Sequence, residues 1–296
     1  MFLLQFSFFA DAMLDPVDFL SLQAIRKSFH DLPGSNFFHS WDFTFDPCGF
    51  TSDPCGFAGV YCDGDKVISL NLGDPRANFI SGEIPASLGE VRRLRTLDLS
   101  YNQLTRTISP SIESLPELSN LILCHNHLTE SIPPFLSQSL TRIDLKRNSL
   151  TGSNSPASLP PSLRYLSLAW KQLTGPVDRK SSRFTWIKDL CFLAISQNFI
   201  SGEIPASLGE VRRLRTLDLS YNQLTRTISP SIESLPELSN LILCHNHLTE
   251  SIPPFLAIAN PNRSQTQQPH RFKLSRVSPS VVEILITRLE TINRTG

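Results

Sequence analysis

The chain has 296 residues, enough for one large core or for an extended repeat array with caps. Lys+Arg and Asp+Glu each count 27, and no dense basic run appears, which argues against a nucleic-acid partner. The 22 prolines disfavour long continuous helices and favour many short turns.

Residues 1–12 read as a signal peptide: Met1 to Ala10 is mostly apolar, and Ala10-Asp11-Ala12 has the small-x-small form of a cleavage site. Residues 13–65 read as an N-terminal cap. Within it, Asp15 is placed to cap a helix and Pro16 to begin it. Phe19, Leu22, Ile25 and Phe29 give that helix an apolar side running to about His30. Trp41 and the segment Cys55-Gly-Phe-Ala-Gly-Val-Tyr-Cys62 follow. A short echo, Asp46 to Phe50 against Asp53 to Phe57, adds Cys48. Its spacing to Cys55 equals that of Cys55 to Cys62, so spacing alone leaves the pairing open and one of the three odd.

From residue 66 to 256 a short period repeats eight times, L-x-x-L-x-L-x-x-N-x-L with a frequent G-x-I-P ending. The first turn, with Val67, Leu70 and Leu72, is irregular; Leu94, Leu97, Leu99, Asn102 and Leu104 show the regular form. The L-x-L core alternates with period two, as a short strand with alternate residues inward does. The Asn side chain can bond backbone groups of neighbouring turns, which a buried leucine could not. The Gly position suits a positive φ. No turn buries its apolar face alone, so the turns must stack. The pattern predicts an α/β leucine-rich-repeat solenoid, a horseshoe with a parallel β-sheet on its concave face.

A longer repeat lies over this one. Residues 78–136 are identical to residues 198–256, 59 residues at an offset of 120, and the second copy re-enters in register. In both copies the Gly position holds a residue with a Cβ, Arg106 and Glu130, then Arg226 and Glu250. Each is expected to cost about 1 kcal/mol at positive φ. Between the copies Lys171 stands in the Asn position and is expected to bend outward, because a buried ammonium is costly. Residues 257–296 lack the repeat, are partly disordered by composition, and hold two glycosylation sequons, at Asn262 and Asn293. No stretch is long and apolar enough to cross a membrane.

The cap sequence Asp18-Phe-Leu-Ser-Leu-Gln-Ala-Ile-Arg-Lys27, then Trp41 and the Cys55/Cys62 pair, together with the L-x-G-x-I-P turns, resembles plant leucine-rich-repeat receptor-like proteins and receptor-kinase ectodomains. The resemblance covers roughly residues 13 to 256. It implies a helical, disulfide-bearing cap with Cys55 joined to Cys62, a secreted or extracellular location at the cell wall or the plasma-membrane surface, and a peptide or protein ligand with a co-receptor kinase as a further partner. On this reading the chain is a kinase-less recognition protein and no enzyme. The alternatives are a secreted inhibitor of a cell-wall-degrading enzyme, similar to polygalacturonase inhibitors, or a non-functional duplicated fragment.

No phosphate loop, nucleophile elbow or His-Glu-x-x-His occurs, and no cofactor is expected. Cys124-His125-Asn126-His127 invites a metal reading, but the repeat register sends Asn126 inward and separates the two histidines, so no metal is expected. The better candidate is the strand face. One column reads Tyr101, His125, Arg147, Trp170, Gln197, Tyr221, His245, and Asp144 and Tyr165 join it from the strands. Tyr, Trp and Arg are enriched in binding hot spots.

Overall fold

Alternating leucines become parallel strands whose registers match leucine to leucine. The structure is a computed structural model that describes residues 14–33, 35, 37–44, 48, 56–73, 80–133, 136–153, 159–176, 187–229, 231–232 and 235–249. The expected signal peptide, Cys55, the glycosylation sites Asn262 and Asn293, and the tail lie outside them. The chain divides into two compact units, Met1–Leu128 and Thr129–Gly296.

The first unit opens on helix α1 (Pro16–Ser28). The Asp15 carboxylate accepts from the N–H groups of Val17 (2.8 Å) and Asp18 (3.3 Å), and Pro16 fills the first helical position. Leu22 and Ile25 are buried as the apolar pattern requires. The helix stops at Ser28, two residues earlier than the pattern alone gives, because Phe29 turns extended. It begins strand β1 (Phe29–Asp31), and its buried ring stacks on Phe38 at 6.5 Å. Trp41 is the hub of the cap: it stacks on Phe57 at 5.5 Å, meets Phe38 edge-on, and its indole N–H donates to the Ala58 carbonyl at 3.0 Å. Asp18 is buried and accepts from the Val67 N–H at 2.9 Å; burial pushes its carboxyl above the usual range. Beside it a hydrogen bond from the Lys66 ammonium holds the Asp15 carboxyl below that range.

The front sheet of this unit holds β2 (Val60–Asp63), antiparallel to β3 (Lys66–Asn71). Two parallel strands follow, β5 (Thr96–Asp98) and β7 (Asn120–Ile122), with Leu70, Leu97 and Leu121 in register and each fully buried. The second sheet holds β1, antiparallel to β4 (Ile80–Glu83), then the parallel strands β6 (Gln103–Arg106) and β8 (His127–Leu128). Gly82 is needed where β4 meets the cap: its φ is +125°, and a Cβ there would lie 2.3 Å from the Ser28 carbonyl oxygen.

The second unit repeats the plan. Its front sheet is β9 (Arg142–Asp144), β11 (Tyr165–Ser167), β13 (Phe192–Ala194), β15 (Thr216–Asp218) and β17 (Asn240–Ile242). All run parallel, with Ile143, Leu166, Leu193, Leu217 and Leu241 in register. The second sheet is β10 (Thr151–Ser153), β12 (Gln172–Pro176), β14 (Phe199–Gly202), β16 (Gln223–Arg226) and β18 (His247–Leu248), also parallel. In both units a core of Leu, Ile and Val lies between the sheets.

The Asn ladder forms as the chemistry predicts. Asn126 donates to the Leu99 carbonyl of the preceding turn (2.8 Å) and to Leu123 (3.1 Å), and accepts from the Leu104 N–H (3.0 Å). Asn222 does the same with Ile195 (3.0 Å), Leu219 (3.1 Å) and the Ile200 N–H (3.1 Å). Arg106, Glu130 and Arg226 take φ of 65°, 66° and 63°.

Two expectations fail. Lys171 does not bend outward. It is 5% exposed, and its ammonium donates to the Leu145 carbonyl, the place an Asn amide takes elsewhere in the ladder. The four-carbon stem is long enough for the ammonium to reach that oxygen from a buried position. The disulfide joins Cys62 to Cys48, with Cα atoms 6.0 Å apart, and not to Cys55 as the resemblance implied. Phe57 is committed to the Trp41 cluster, and the Ala58 N–H donates to Ser40 Oγ at 2.9 Å, which fixes Ser40 and Trp41 against the start of β2.

Candidate functional site

Each turn of the front sheet offers three outward positions: the two residues flanking the inward leucine of the strand, and the residue before the ladder position. That third residue has a positive φ at every described turn of the column: Tyr101 (56°), His125 (58°), Arg147 (52°), Trp170 (57°), Gln197 (57°), Tyr221 (53°) and His245 (55°). A left-handed residue of this kind costs about 1 kcal/mol or more. The ladder repays it, because the next residue must turn inward at this point.

In the first unit Tyr101 stacks on His125, centroids 4.1 Å apart and planes 17° apart. The strand positions beside them are Thr96, Asp98, Asn120 and Ile122, of which the last alone is apolar: the Asn120 amide donates to Thr96 Oγ1 at 3.2 Å, and Asp98 accepts from the N–H and hydroxyl of Ser100. His127, on β8, belongs to the other sheet, and Asn126 is buried, so the Cys-His-Asn-His run does not converge on one point.

In the second unit the face changes character at β9 and β11. The Arg142 guanidinium lies 3.8 Å over the Tyr165 ring, and Tyr165 stacks on Phe192 at 4.3 Å with planes 7° apart. Along the neighbouring column the Arg147 guanidinium lies 4.6 Å over Trp170, whose side chain stays 48% exposed. Tyr221 and His245 stack further along, at 4.0 Å. Cation–π contacts of this kind contribute about 0.5–1 kcal/mol each at exposed sites. They hold long Arg side chains in place, so less entropy remains to be lost when a ligand binds.

Asp144 departs from its expected role. It is 2% exposed, and its carboxylate is taken up by Arg142 (3.5 Å), the Tyr165 hydroxyl (3.4 Å) and the Lys146 N–H (3.3 Å). It lies beneath the stack and fixes Arg142 and Tyr165 from behind. Burial first, then the Asp144 charge, pushes the Tyr165 phenol above its usual range, so it remains a neutral donor. Arg142 and Phe192 were not singled out in the sequence. The signal was available: both precede the inward residue of their strand, the position Tyr165 holds in its own turn.

With this geometry in place, the chain can be set beside known proteins. Residues 15–63 match the leucine rich repeat N-terminal domain, and residues 93–115, 117–138 and 213–235 match the leucine rich repeat. Receptor-like protein 39 of Arabidopsis thaliana is 32% identical over 169 residues, which is 54% of this chain and 19% of that protein. The ectodomain of the Arabidopsis receptor kinase HAESA, solved with an IDA peptide hormone, aligns with TM-score 0.61 and 26% identity over 78% of this chain and 41% of that one. The ectodomain of GASSHO1/SCHENGEN3 from Arabidopsis thaliana, solved with CASPARIAN STRIP INTEGRITY FACTOR 2, aligns with TM-score 0.60 and 28% identity over 80% of this chain and 31% of that one. The chain thus spans about a fifth of the curated relative. No helix among the described residues is long and apolar enough to cross a membrane.

Proposed function

We propose, from a chain built of a leucine-rich-repeat N-terminal domain and leucine-rich repeats and similar to plant receptor ectodomains, that this protein is an extracellular recognition module. Its ligand is a peptide, or an extended segment of a protein, laid across the front sheet of the second unit. The observation that carries this is the double row of Arg142–Tyr165–Phe192 and Arg147–Trp170 on rigid parallel strands. Preorganised aromatic and Arg side chains on a fixed sheet are what hot spots are made of. The peptide complexes of the two similar ectodomains support the reading.

The test is a random-peptide phage library panned against the full chain. Enriched peptides are then measured against a variant carrying Arg147→Ala, Tyr165→Ala and Trp170→Ala. Affinity is expected to fall at least about tenfold, with circular dichroism unchanged. Unchanged affinity for every enriched peptide would remove this face as the site.

A further inference from the structure

The ligand of this face can be specified further from its charges. This step rests on the recognition reading above. Arginines near the front sheet of the duplicated turns are paired: Arg95 with Glu117 at 3.2 Å in the first unit, and Arg215 with Glu237 at 3.0 Å in the second. The turns of β9 and β11 differ. Arg142 has the Asp144 carboxylate, which is buried under the Tyr165 ring. Lys146, Arg147 and Arg164 have no carboxylate partner among the described residues. Arg147 and Arg164 are exposed and Lys146 is half-buried. Among the described residues, these two consecutive turns therefore carry three cations without a carboxylate partner, and their one described carboxylate, Asp144, is already covered. The chain as a whole balances 27 basic against 27 acidic residues, so this local excess does not follow from composition.

We infer that the peptide bound here is acidic: carboxylate side chains pair with Lys146, Arg147 and Arg164, and aromatic or aliphatic side chains lie against Trp170 and the Tyr165–Phe192 stack. The pairing is geometrically favourable for a strand-like peptide. Arg164 stands just before β11, its N–H bonded to the Thr141 carbonyl, and Lys146 and Arg147 follow β9, so the cations flank the aromatic stack at both ends of the strands, where an extended peptide laid along them can reach both. Arg147 is held over Trp170 and so meets a carboxylate with its guanidinium already oriented. The contacts are exposed, so they set specificity and on-rate, and salt weakens them.

The probes are two random copolymers of matched length, poly(Glu,Tyr) and poly(Lys,Tyr), and polygalacturonate as a polyanion without aromatic groups. Binding to the immobilised full chain is read by interferometry at 50 and 200 mM salt. The inference requires poly(Glu,Tyr) to bind, poly(Lys,Tyr) not to bind, and salt to weaken the former several-fold. A variant with Lys146→Gln, Arg147→Gln and Arg164→Gln, none of them in the core, should lose at least about tenfold in affinity. Equal binding of both copolymers, or an unchanged variant, overturns it. Polygalacturonate binding as tightly as poly(Glu,Tyr) also overturns it, in favour of a general polyanion surface. Phage-selected peptides that are neutral or basic, yet depend on Tyr165 and Trp170, would sink the acidic assignment while leaving the recognition reading intact. Selected peptides indifferent to both residues would sink the two together.

Discussion

Each identical copy, residues 78–136 and residues 198–256, puts asparagine at every described ladder position, Asn102 and Asn126 in one and Asn198, Asn222 and Asn246 in the other. The turns between them, residues 137–197, put Asn148 and then Lys171 there. The faces divide at the same boundary. The copies show Thr, Asn, Asp, Ile and a Tyr–His stack, at 4.1 Å in one and 4.0 Å in the other. The intervening turns show Arg142, Tyr165, Phe192, Arg147 and Trp170. The stretch that breaks the interior rule is the stretch that carries the distinctive surface. A stacked array permits this, since each turn needs only its immediate neighbours to accept it. The copies also teach that context sets burial. Leu121 and Cys124 are buried, while their identical counterparts Leu241 and Cys244 are half-buried.

The largest expected effect comes from removing a ladder amide inside a copy. Asn222→Leu leaves the Ile195 and Leu219 carbonyls and the Ile200 N–H without their partner in a buried position. Each orphaned group costs about 1–3 kcal/mol, so a loss of at least about 3 kcal/mol in urea unfolding is expected. A cost below about 1 kcal/mol would mean that water or relaxation replaces the amide, and the ladder would then not explain the copies' regularity.

Next is Lys171→Asn. An ammonium accepts nothing, so the Leu150 N–H, which stands where Leu104, Leu173, Ile200 and Leu224 stand, finds no acceptor in this column. Asparagine supplies the acceptor, keeps a donor for the Leu145 carbonyl and removes a buried charge. A gain of about 1–2 kcal/mol is expected. If the variant is instead less stable than the parent, the lysine is better satisfied than an asparagine would be, and the intervening turns are not the weak part of the array.

Much of this was legible beforehand, for a physical reason. Strand register follows from leucines spaced two apart, and the Asn ladder from bonds that close within a turn or to the adjacent one; both are local. The features that were misread depend on groups distant in the chain. Lys171 goes inward because the Leu145 carbonyl of the previous turn is within reach of its stem. Asp144 is buried because Tyr165, 21 residues on, lies over it. Equal spacing could not choose between Cys48 and Cys55 as the partner of Cys62; the folded cap joins Cys48. Arg142 and Phe192 escaped because the candidate column followed the residue before the ladder and passed over the strand position two residues before Asp144 and Ala194.

A third substitution separates surface chemistry from stability. Arg147→Gln removes one cation from the intervening face, where its guanidinium lies over Trp170 at an exposed position. The stability loss should stay within about 1 kcal/mol, the range of an exposed cation–π contact. A larger loss would mean that this face holds the turns together, and its charges could then not be read as ligand contacts alone.

The smallest effects lie back in the copies, where one substitution can be made twice. Arg106→Gly and Arg226→Gly each relieve a left-handed backbone worth about 1–2 kcal/mol. Against this stand the added freedom of glycine in the unfolded chain, about 0.4–1 kcal/mol, and an ion pair worth about 0.2–1 kcal/mol. The net is centred near zero, between a gain of about 1.4 and a loss of about 1 kcal/mol. The two sites differ in that term alone: Arg106 pairs with a Glu83 side chain that is 59% exposed, and Arg226 with a Glu203 side chain that is 23% exposed. The better-shielded pair should resist salt more, so Arg226→Gly should gain less than Arg106→Gly in 0.15 M salt, and the gap should widen toward 1 M as the exposed pair is screened first. Losses of more than 1 kcal/mol at both sites would show that positive φ is no burden here, and that the glycine position of the repeat is set by something other than backbone strain.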